Sequence, residues 1–499
     1  LQGEYVAVMN DIDFTGVAEG ITPLGNDGVT PFDGNFDGKG FAVKGYSYKT
    51  KEDGEGALFG TIGAEGVVSN LTSAGEISGG LGGPKGTTKL GHVGGFVGRL
   101  YGKLVNVTNT GKVKGIATYN AGVAGFVQQG AVLDGVKNYG EITSSAAYVA
   151  GVAAYVYEDA EFNKCVNYGN ISSSVAAGYA AGIAATALPS KFVECVNEGQ
   201  ISSGSSAGIV ANCSGKSGGL IYKFDCCQNN GEVTGNGILG GITAVQGATA
   251  GNNVCHYIQC VNNGDITATA TQAVSSSAMA GIAAFYSPGS VFEYCINTGF
   301  VTNTKSVYTA GIAANNKGSA TADYPVVFKG CVNTGNIASS AQQIAGIVAY
   351  ITNYTSVDSC LNYGTIEQGI WGAAGICYTM AGTTSSLTNC INYGDVSVTQ
   401  YNAGGIVGNC ASTTAVIENC VNVGNITSTT TAEKNNYGVG GIAGSSYATM
   451  KNCFNAGKVV GKLRVGGIVG SPSYNANGAR TQLVNCVNVG LITADEGCG

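Results

Sequence analysis

Charge, histidine and long apolar runs are all scarce in this sequence of 499 residues. Charged residues make up only 11%, and the net charge of −7 leaves no basic patch of the kind that nucleic acids or anionic membranes require. The two histidines, His92 and His256, do not form the zinc-peptidase motif His-Glu-x-x-His. No apolar run approaches the ~20 residues of a membrane-spanning helix. The sequence therefore predicts no nucleic-acid partner and no membrane insertion.

One short motif is abundant, and the stretch 418–427 (ENCVNVGNIT) represents it. Counted on the glycine of its Asn-x-Gly turn, the motif occurs fourteen times at intervals of 29 to 36 residues. A fixed period in this range is typical of a solenoid or an array of repeats. The turn glycines are Gly75, Gly111, Gly140, Gly169, Gly199, Gly231, Gly264, Gly299, Gly335, Gly364, Gly394, Gly424, Gly457 and Gly490.

The positions around this glycine have predictable roles. Ile or Val stands two residues after it in every copy, as expected for a short strand with one inward side chain. The glycine is expected to supply a positive φ at the corner. Asn stands two residues before it in thirteen copies, and stacked Asn side chains are expected to bond one another along the axis. These residues are Asn109, Asn138, Asn167, Asn197, Asn229, Asn262, Asn297, Asn333, Asn362, Asn392, Asn422, Asn455 and Asn488.

Cysteine occupies the position four residues before the turn glycine in eleven consecutive copies. Leu71, Val107 and Val136 stand there in earlier copies, which indicates an inward-facing position. Coils ~4.8 Å apart place neighbouring cysteines too far apart for a relaxed disulfide, so buried free thiols are expected. The column is Cys165, Cys195, Cys227, Cys260, Cys295, Cys331, Cys360, Cys390, Cys420, Cys453 and Cys486.

Six cysteines lie outside this column. Cys213, Cys226 and Cys255 fall in enlarged loops. The sequence does not decide whether two of these three cysteines form a disulfide. His256 is the only histidine nearby, so a zinc site is not expected, and no metal or other cofactor is predicted.

A second signature lies half a coil away, as in the stretch 404–408 (GGIVG). Its small and apolar residues favour a strand packed tightly inside a narrow coil. Together the patterns predict an all-β fold, a single-stranded parallel β-helix (β-solenoid) of about fourteen coils, with two or three strands per coil over residues 57–499. Residues 1–56 are acid-rich and turn-rich, and we expect them to be an N-terminal cap. Within them the run 33–38 (DGNFDG) resembles the start of a calcium loop, but tight turns explain it better.

The opening pattern 31–40 (PFDGNFDGKG), the stretch 57–60 (ALFG) and the two repeated motifs resemble the GLUG-repeat surface proteins of bacteria. That family includes adhesin-like proteins of gut anaerobes and repeat regions attached to some immunoglobulin A peptidases. The resemblance covers essentially the whole chain. It implies an extracellular or cell-surface location and a stalk or binding surface in which the repeats carry no peptidase chemistry.

The enlarged loops are the places where a binding face is expected, because insertions on one side of a solenoid frequently carry function. Their aromatic residues among Ser, Asn and Gly suit stacking on sugars or contact with a protein surface, although tolerated insertions without a ligand are an equal alternative. The candidate binding residues are Tyr222, His256, Tyr257, Tyr324 and Tyr474. Tyr139, Tyr168, Tyr363 and Tyr393 follow the turn Asn and are expected to stack in pairs.

The predicted function is therefore a secreted or surface-attached, adhesin-like module without catalysis, whose partner is a glycan or a host or other-cell surface protein. One alternative is a β-helical polysaccharide lyase or glycoside hydrolase. Its best acidic cluster in the body of the chain would be Glu158, Asp159 and Glu161, near Asp134 and Lys191. Another alternative is a filament or stalk subunit that associates end to end, because an uncapped β-helix exposes unpaired strand edges.

Overall fold

A computed structural model of the chain describes residues 3–17, 21–25, 30–50, 56–79, 91–115, 118–213, 220–247, 253–269, 277–303, 307–340, 342–369, 371–429, 437–472 and 481–498. Within these residues the protein is all-β, without a helix, and its parallel strands stack as a β-solenoid of about fourteen turns. This confirms the predicted fold class. The described part of the chain holds no helix with the length and apolar character needed to cross a membrane.

The coil at residues 132–156 shows how one repeat is built. Its five short strands are Val132–Asp134, Lys137–Asn138, Ile142–Ser144, Tyr148–Ala150 and Ala153–Val156. The first belongs to one sheet (sheet A), the next three to a second (sheet B) and the last to a third (sheet C). The prediction of two or three strands per coil was wrong, because four breaks separate the five strands of this coil, and the Asn-x-Gly turn and the Gly-Ile bend are two of them.

The chain divides into two compact units: unit 1 comprises Leu1–Gly237 and Ile242–Ala244, and unit 2 comprises Ile238–Gly241 and Val245–Gly499. The strand Thr243–Gln246 has residues in both.

In unit 1, sheet A contains Tyr5–Ala7, Asn35–Asp37, Val67–Ser69, Lys103–Val105, Val132–Asp134, Glu161–Asn163, Lys191–Val193 and Tyr222–Asp225. Sheet B begins with Ile12–Asp13, Ala42–Thr50 and Thr72–Gly79, and then has three ladders. The first ladder is Thr108–Asn109, Lys137–Asn138, Val166–Asn167, Val196–Asn197 and Gln228–Asn229. The second is Lys112–Gly115, Ile142–Ser144, Ile171–Ser173, Ile201–Ser203 and Val233–Gly235. The third is His92–Gly94, Tyr119–Ala121, Tyr148–Ala150, Tyr179–Ala181 and Ser205–Ala207. Sheet C contains Phe59–Ile62, Val97–Leu100, Ala124–Val127, Ala153–Val156, Ala184–Ala187 and Val210–Cys213.

In unit 2, sheet A contains Cys255–Ile258, Val291–Glu293, Val326–Lys329, Thr355–Asp358, Ser386–Thr388, Val416–Glu418, Thr449–Lys451 and Gln482–Val484. The first ladder of sheet B is Val261–Asn262, Ile296–Asn297, Val332–Asn333, Leu361–Asn362, Ile391–Asn392, Val421–Asn422, Phe454–Asn455 and Val487–Asn488. The second is Ile266–Ala268, Val301–Asn303, Ile337–Ser339, Ile366–Gly369, Val396–Val398, Ile426–Ser428, Val459–Gly466 and Ile492–Cys498. The third is Leu239–Gly240, Ala278–Ala280, Tyr308–Ala310, Gln343–Ala345, Gly372–Ala374, Asn402–Gly404 and Val439–Gly440, and Val459–Gly466 also continues it. Sheet C contains Ala283–Tyr286, Ala313–Asn316, Val348–Ile351, Cys377–Met380, Val407–Cys410, Ala443–Ser446 and Val469–Pro472.

Strands before residue 57 join the same sheets. Asn35–Asp37 pairs in parallel with Val67–Ser69, and Ala42–Thr50 pairs with Thr72–Gly79. The boundary between a cap at residues 1–56 and a repeat domain at 57–499 stays a prediction.

The asparagines of the turn form buried hydrogen-bonded ladders inside each unit. In unit 1 the side-chain amide of Asn138 donates to Gly140 O at 2.9 Å and to Asn167 Oδ1 at 2.8 Å. In unit 2 the amide of Asn333 likewise donates to Gly335 O and to Asn362 Oδ1. The expectation that stacked Asn side chains bond along the axis is confirmed. A buried amide is tolerated here because its bonding groups are satisfied from coil to coil.

A turn glycine and a glycine of the Gly-Ile signature lie beside the ladder asparagines. Both positions require glycine because neighbouring atoms approach the backbone too closely for a Cβ atom. A Cβ on Gly364 would lie 2.0 Å from Gly335 O of the preceding coil. On the other side, a Cβ on Gly151 would lie 2.2 Å from Asn167 Oδ1. The turn glycines do not have positive φ, so that part of the prediction was wrong.

The left-handed corner lies elsewhere, one residue before the cysteine column. Asn389, Asn419, Asn452 and Asn485 have φ between 52° and 56° there. Gly135 and Gly330 occupy the same position in other coils, with φ of 66° and 61°. Asn and Gly suit this position because both tolerate the left-handed region better than other residues do.

Candidate functional site

The candidate residues from the enlarged loops are not displayed together. Tyr222 and Tyr257 are both 0% exposed, so neither side chain is available to stack on a ligand at the surface. Both lie within strands of sheet A, where alternate residues face the core. His256 is half-buried on the strand that contains Tyr257. Tyr324 is 41% exposed, and Tyr474 lies outside the described residues.

The cysteine column is confirmed as inward-facing. Its members are buried, apart from half-buried Cys486. Cys165, Cys295 and Cys360 are free thiols, and burial raises the pKa of each. The thiol of Cys195 donates to Phe162 O of the neighbouring coil at 3.4 Å. Of the three loop cysteines, Cys255 is a buried free thiol. The described residues hold no cluster of three or more metal-ligating side chains.

Of the acidic residues considered for catalysis, Asp134 and Asp159 are exposed and Glu158 is half-buried. The Lys191 ammonium donates to Glu161 Oε1 at 2.5 Å, and both side chains are exposed. Asp134 lies on the strand beside that of Glu161 and pairs in register with Asn163. Asp159 stands in a turn with φ of 62°. This arrangement is a solvated ion pair at the edge of a turn.

A concavity with a volume of about 740 Å³, lined mostly by serine and threonine residues, lies on the outer face of sheet B in unit 1. Hydroxyl groups dominate it, as with Thr143, Ser172 and Ser202, and Lys114 at its edge forms an ion pair with Glu76 at 3.4 Å. None of its lining residues is aromatic. It therefore offers hydrogen bonds without a surface on which a ring could stack.

An aromatic cleft runs along unit 1 where the third ladder of sheet B bends into sheet C. Tyr119, on the sheet B side, and Phe126, on the sheet C side, pack against each other and against Ala121 and Ala154. The bend is thus lined by rings from both strands, and at Tyr119 the rings of the two sides are in edge-to-face contact. The residues of this aromatic cleft are His92, Arg99, Tyr119, Phe126, Tyr148, Tyr155, Tyr157 and Tyr179.

The rings of the sheet B wall form a ladder along the coils. His92 stacks on Tyr119 with centroids 5.6 Å apart, and Tyr119 stacks on Tyr148 at 5.0 Å. Tyr148 then stacks on Tyr179 at 5.7 Å. On the opposite wall Phe126 stacks on Tyr155 at 4.9 Å. Tyr148, Tyr155 and Tyr179 are half-buried, so the ladder remains in contact with solvent.

The ladder ends within unit 1 at a polar step. Ser205 pairs in register with Tyr179, and Thr186 pairs with Tyr155. Asn212 follows Thr186 in register, and its side-chain amide donates to Thr186 Oγ1 at 3.5 Å. The polar step, defined as Thr186, Ser205 and Asn212, therefore lies beside the last two rings. These side chains are smaller than tyrosine; Thr186 and Asn212 are buried, and Ser205 is half-buried.

Burial and neighbouring charge shift the pKa values of the titratable groups at the other end of the cleft. Burial lowers the pKa of His92 to about 4, and the positive charge of Arg99 acts in the same direction. The Arg99 guanidinium also lies 5.8 Å from the Phe126 ring. Burial raises the pKa of Tyr119 to about 12. At neutral pH this end of the cleft holds a neutral imidazole and protonated phenols, and the guanidinium is its cation.

The sequence contains a signal for this cleft outside the repeated Asn-x-Gly motif. The aromatic residues stand three residues before and four residues after the second glycine of the Gly-Ile signature, as Tyr148 and Tyr155 do around Gly151. The expectation that this signature reflects a narrow interior was incomplete. Its second glycine lies against the Asn ladder, and the side chains flanking the signature line an external bend.

The expected tyrosine pairs do stack. Tyr139 and Tyr168 have centroids 4.4 Å apart at 8°, and Tyr363 and Tyr393 have centroids 4.6 Å apart at 4°. All four side chains are exposed. In each pair one face of each ring is covered by the other ring.

Comparison of the chain with protein-family models, with curated proteins and with solved structures finds no match.

Proposed function

We propose that this protein is a non-catalytic, adhesin-like β-solenoid that binds a glycan in the aromatic cleft of unit 1. The observation that carries the proposal is the end of the ring ladder, where Tyr155 and Tyr179 are followed by the polar step. A flat aromatic face beside hydroxyl and amide groups suits a sugar, which has apolar C–H faces and hydroxyl edges.

The spacing of the solenoid supports a sugar in this position. Adjacent parallel strands are ~4.8 Å apart, and the rings of the ladder lie 5.0 to 5.7 Å from one another. A hexose stacked on Tyr179 would occupy the place of the next rung, over Ser205. Its hydroxyl groups would then lie near Thr186 and Asn212, which are hydrogen-bonded to each other across two successive coils.

The composition of the site supports binding without hydrolysis. Glycoside hydrolysis commonly needs two carboxyl groups on either side of the scissile bond, and the cleft and polar step as defined contain none. Of the acids considered from the sequence, Glu161 is held in an exposed ion pair with Lys191. The resemblance to bacterial surface repeats supports an extracellular or cell-surface location.

A glycan array with the purified protein tests the proposal, followed by calorimetric titration of the glycans that bind. We expect Tyr179→Ala to weaken binding by roughly tenfold, or ~1.4 kcal/mol, because it removes the stacking face. Tyr393→Ala is the matched control, since it removes an exposed tyrosine that lies in the other unit.

Two outcomes would contradict the proposal. If Tyr179→Ala and Tyr393→Ala weaken binding equally, the cleft is not the site. If bound polysaccharides yield new reducing ends or unsaturated products, and if the Glu161→Gln variant abolishes them, the protein is an enzyme and the non-catalytic proposal fails.

A further inference from the structure

A second group of aromatic side chains lies in unit 2, at the entrance to the third ladder of sheet B. Trp371 is the only tryptophan of the chain and is 44% exposed. Its ring centroid lies 5.7 Å from that of Tyr401, and Tyr401 lies 4.1 Å from Tyr437. Each residue stands just before its strand in one of three successive coils. These three residues are called the tryptophan platform below.

The ring angles distinguish the platform from the stacked tyrosine pairs. Tyr363 and Tyr393 are nearly parallel, at 4°, and so cover each other's faces. Trp371 is tilted by 40° to Tyr401, and Tyr401 is at 77° to Tyr437. The rings of the platform meet at an angle, so Tyr401 does not stack face to face on the indole, and the ring-stacked pairs of the described residues do not include Trp371. The Trp371 side chain is 44% exposed, which gives a ligand access to it from solvent.

The platform rests on a fixed support. The buried Tyr378 hydroxyl donates to the carbonyl oxygen of Trp371 at 3.2 Å. The next coil is tied down by Asn402, whose Oδ1 accepts the amide of Gly438 at 2.9 Å. Burial raises the pKa of the Tyr378 phenol, so this hydroxyl remains a donor over the physiological range. A preorganised ring loses little conformational entropy when a ligand binds.

Two amide side chains lie on the segments around the platform. Gln343 lies one coil before Gly372, the residue that follows Trp371, and its Oε1 accepts from Thr379 Oγ1 at 2.9 Å. Gln400 is exposed beside Tyr401. Amide groups donate and accept hydrogen bonds without adding charge. This chemistry suits an uncharged ligand that has hydroxyl groups at its edge and an apolar face.

We propose that the tryptophan platform is a second carbohydrate-binding site, specific for neutral, unbranched oligosaccharides whose sugar rings present an axial C–H face to Trp371. Tyr401 and Tyr437 extend the contact over the following coils, whose rise is ~4.8 Å per coil. The site is in unit 2 and does not depend on the aromatic cleft of unit 1.

Intrinsic fluorescence provides a direct test, because Trp371 is the only indole in the protein. The probes are neutral β-1,4-linked oligosaccharides of glucose, xylose and mannose, with oligogalacturonate as the charged comparison. We expect a saturable change in the tryptophan emission with at least one neutral probe and none with oligogalacturonate. Calorimetric titration of the same probe should give the same dissociation constant.

Variants separate this site from its surroundings and from the cleft. Tyr401→Ala should weaken the response several-fold, whereas Tyr363→Ala, which removes an exposed tyrosine from a stacked pair of unit 2, should not. Tyr179→Ala should leave the fluorescence response unchanged even if it abolishes binding in unit 1. Emission that stays constant with every neutral probe at millimolar concentration would overturn the inference, as would an equal response to oligogalacturonate.

Discussion

Replacement of one ladder asparagine in the middle of unit 2 should destabilise the protein strongly. Asn333 is fully buried and makes three hydrogen bonds of 2.8 to 2.9 Å, to Gly335 O, to Asn362 Oδ1 and from Asn297 Nδ2. The change Asn333→Ala removes all three. Each bond contributes about 1 kcal/mol, and each buried partner left unsatisfied costs about 1–3 kcal/mol. Three lost bonds alone amount to about 3 kcal/mol, so we expect the free energy of unfolding to fall by at least about 3 kcal/mol.

Urea denaturation followed by circular dichroism measures this loss, and native-state hydrogen exchange shows whether it is confined to neighbouring coils, as expected for a quasi-one-dimensional repeat protein. Asn488→Ala is the matched control. Asn488 is only part-buried, so water can replace its bonds to Gly490 O and from Asn455. A loss below about 1 kcal/mol for Asn333→Ala, or equal losses for both variants, would refute the argument that burial makes the ladder important.

Three further predictions concern other features of the coils. Gly364→Ala should lower the free energy of unfolding by at least ~2 kcal/mol, because the new methyl group would clash with Gly335 O. Thermal denaturation measures this change, and an unchanged melting temperature would contradict the close approach. The column thiol of Cys360 should resist alkylation in the native protein at pH 8 and react in urea, and rapid native labelling would contradict its burial. Because burial raises the pKa of Cys360, the urea midpoint should also fall as pH rises above about 8.5. The pKa of His92 is about 4 in the folded protein and about 6.5 in the unfolded chain, so the free energy of unfolding should fall by up to ~3 kcal/mol as pH drops from 6.5 to 4. This fall should be smaller in the His92→Gln variant. An identical pH dependence of stability in both proteins would show that other groups are responsible.

The periodic features of the fold could be predicted from the sequence because every coil repeats the same physical requirements. An inward Ile or Val, an inward Cys and a bonded Asn recur at fixed positions, and all three were predicted correctly. The role of the turn glycine could not be inferred, because a positive φ and a close backbone approach select the same residue. Only the position of Gly335 O beside Gly364 shows that close approach is the cause.

Side-chain exposure in the irregular segments could not be read from the sequence either. Tyr222 and Tyr257 follow insertions whose ends are undefined in the sequence, and a shift of one residue in a strand exchanges its inner and outer faces. The structure places both rings inside. The aromatic cleft was missed for a different reason: Tyr148 and Tyr179 are 31 residues apart and become neighbours only through the register of the coils.

The left-handed corner before the cysteine column also indicates how the protein could be made more stable. Asn or Gly occupies this corner in several coils, but Lys164, Glu194 and Tyr294 adopt the same conformation with φ of 50° to 54°. Side chains other than Asn and Gly are strained there by roughly 1 kcal/mol. Replacing the residue at such a corner by Asn or Gly would therefore relieve this strain and raise the stability of the protein. The change would not alter the core, the aromatic cleft or the tryptophan platform.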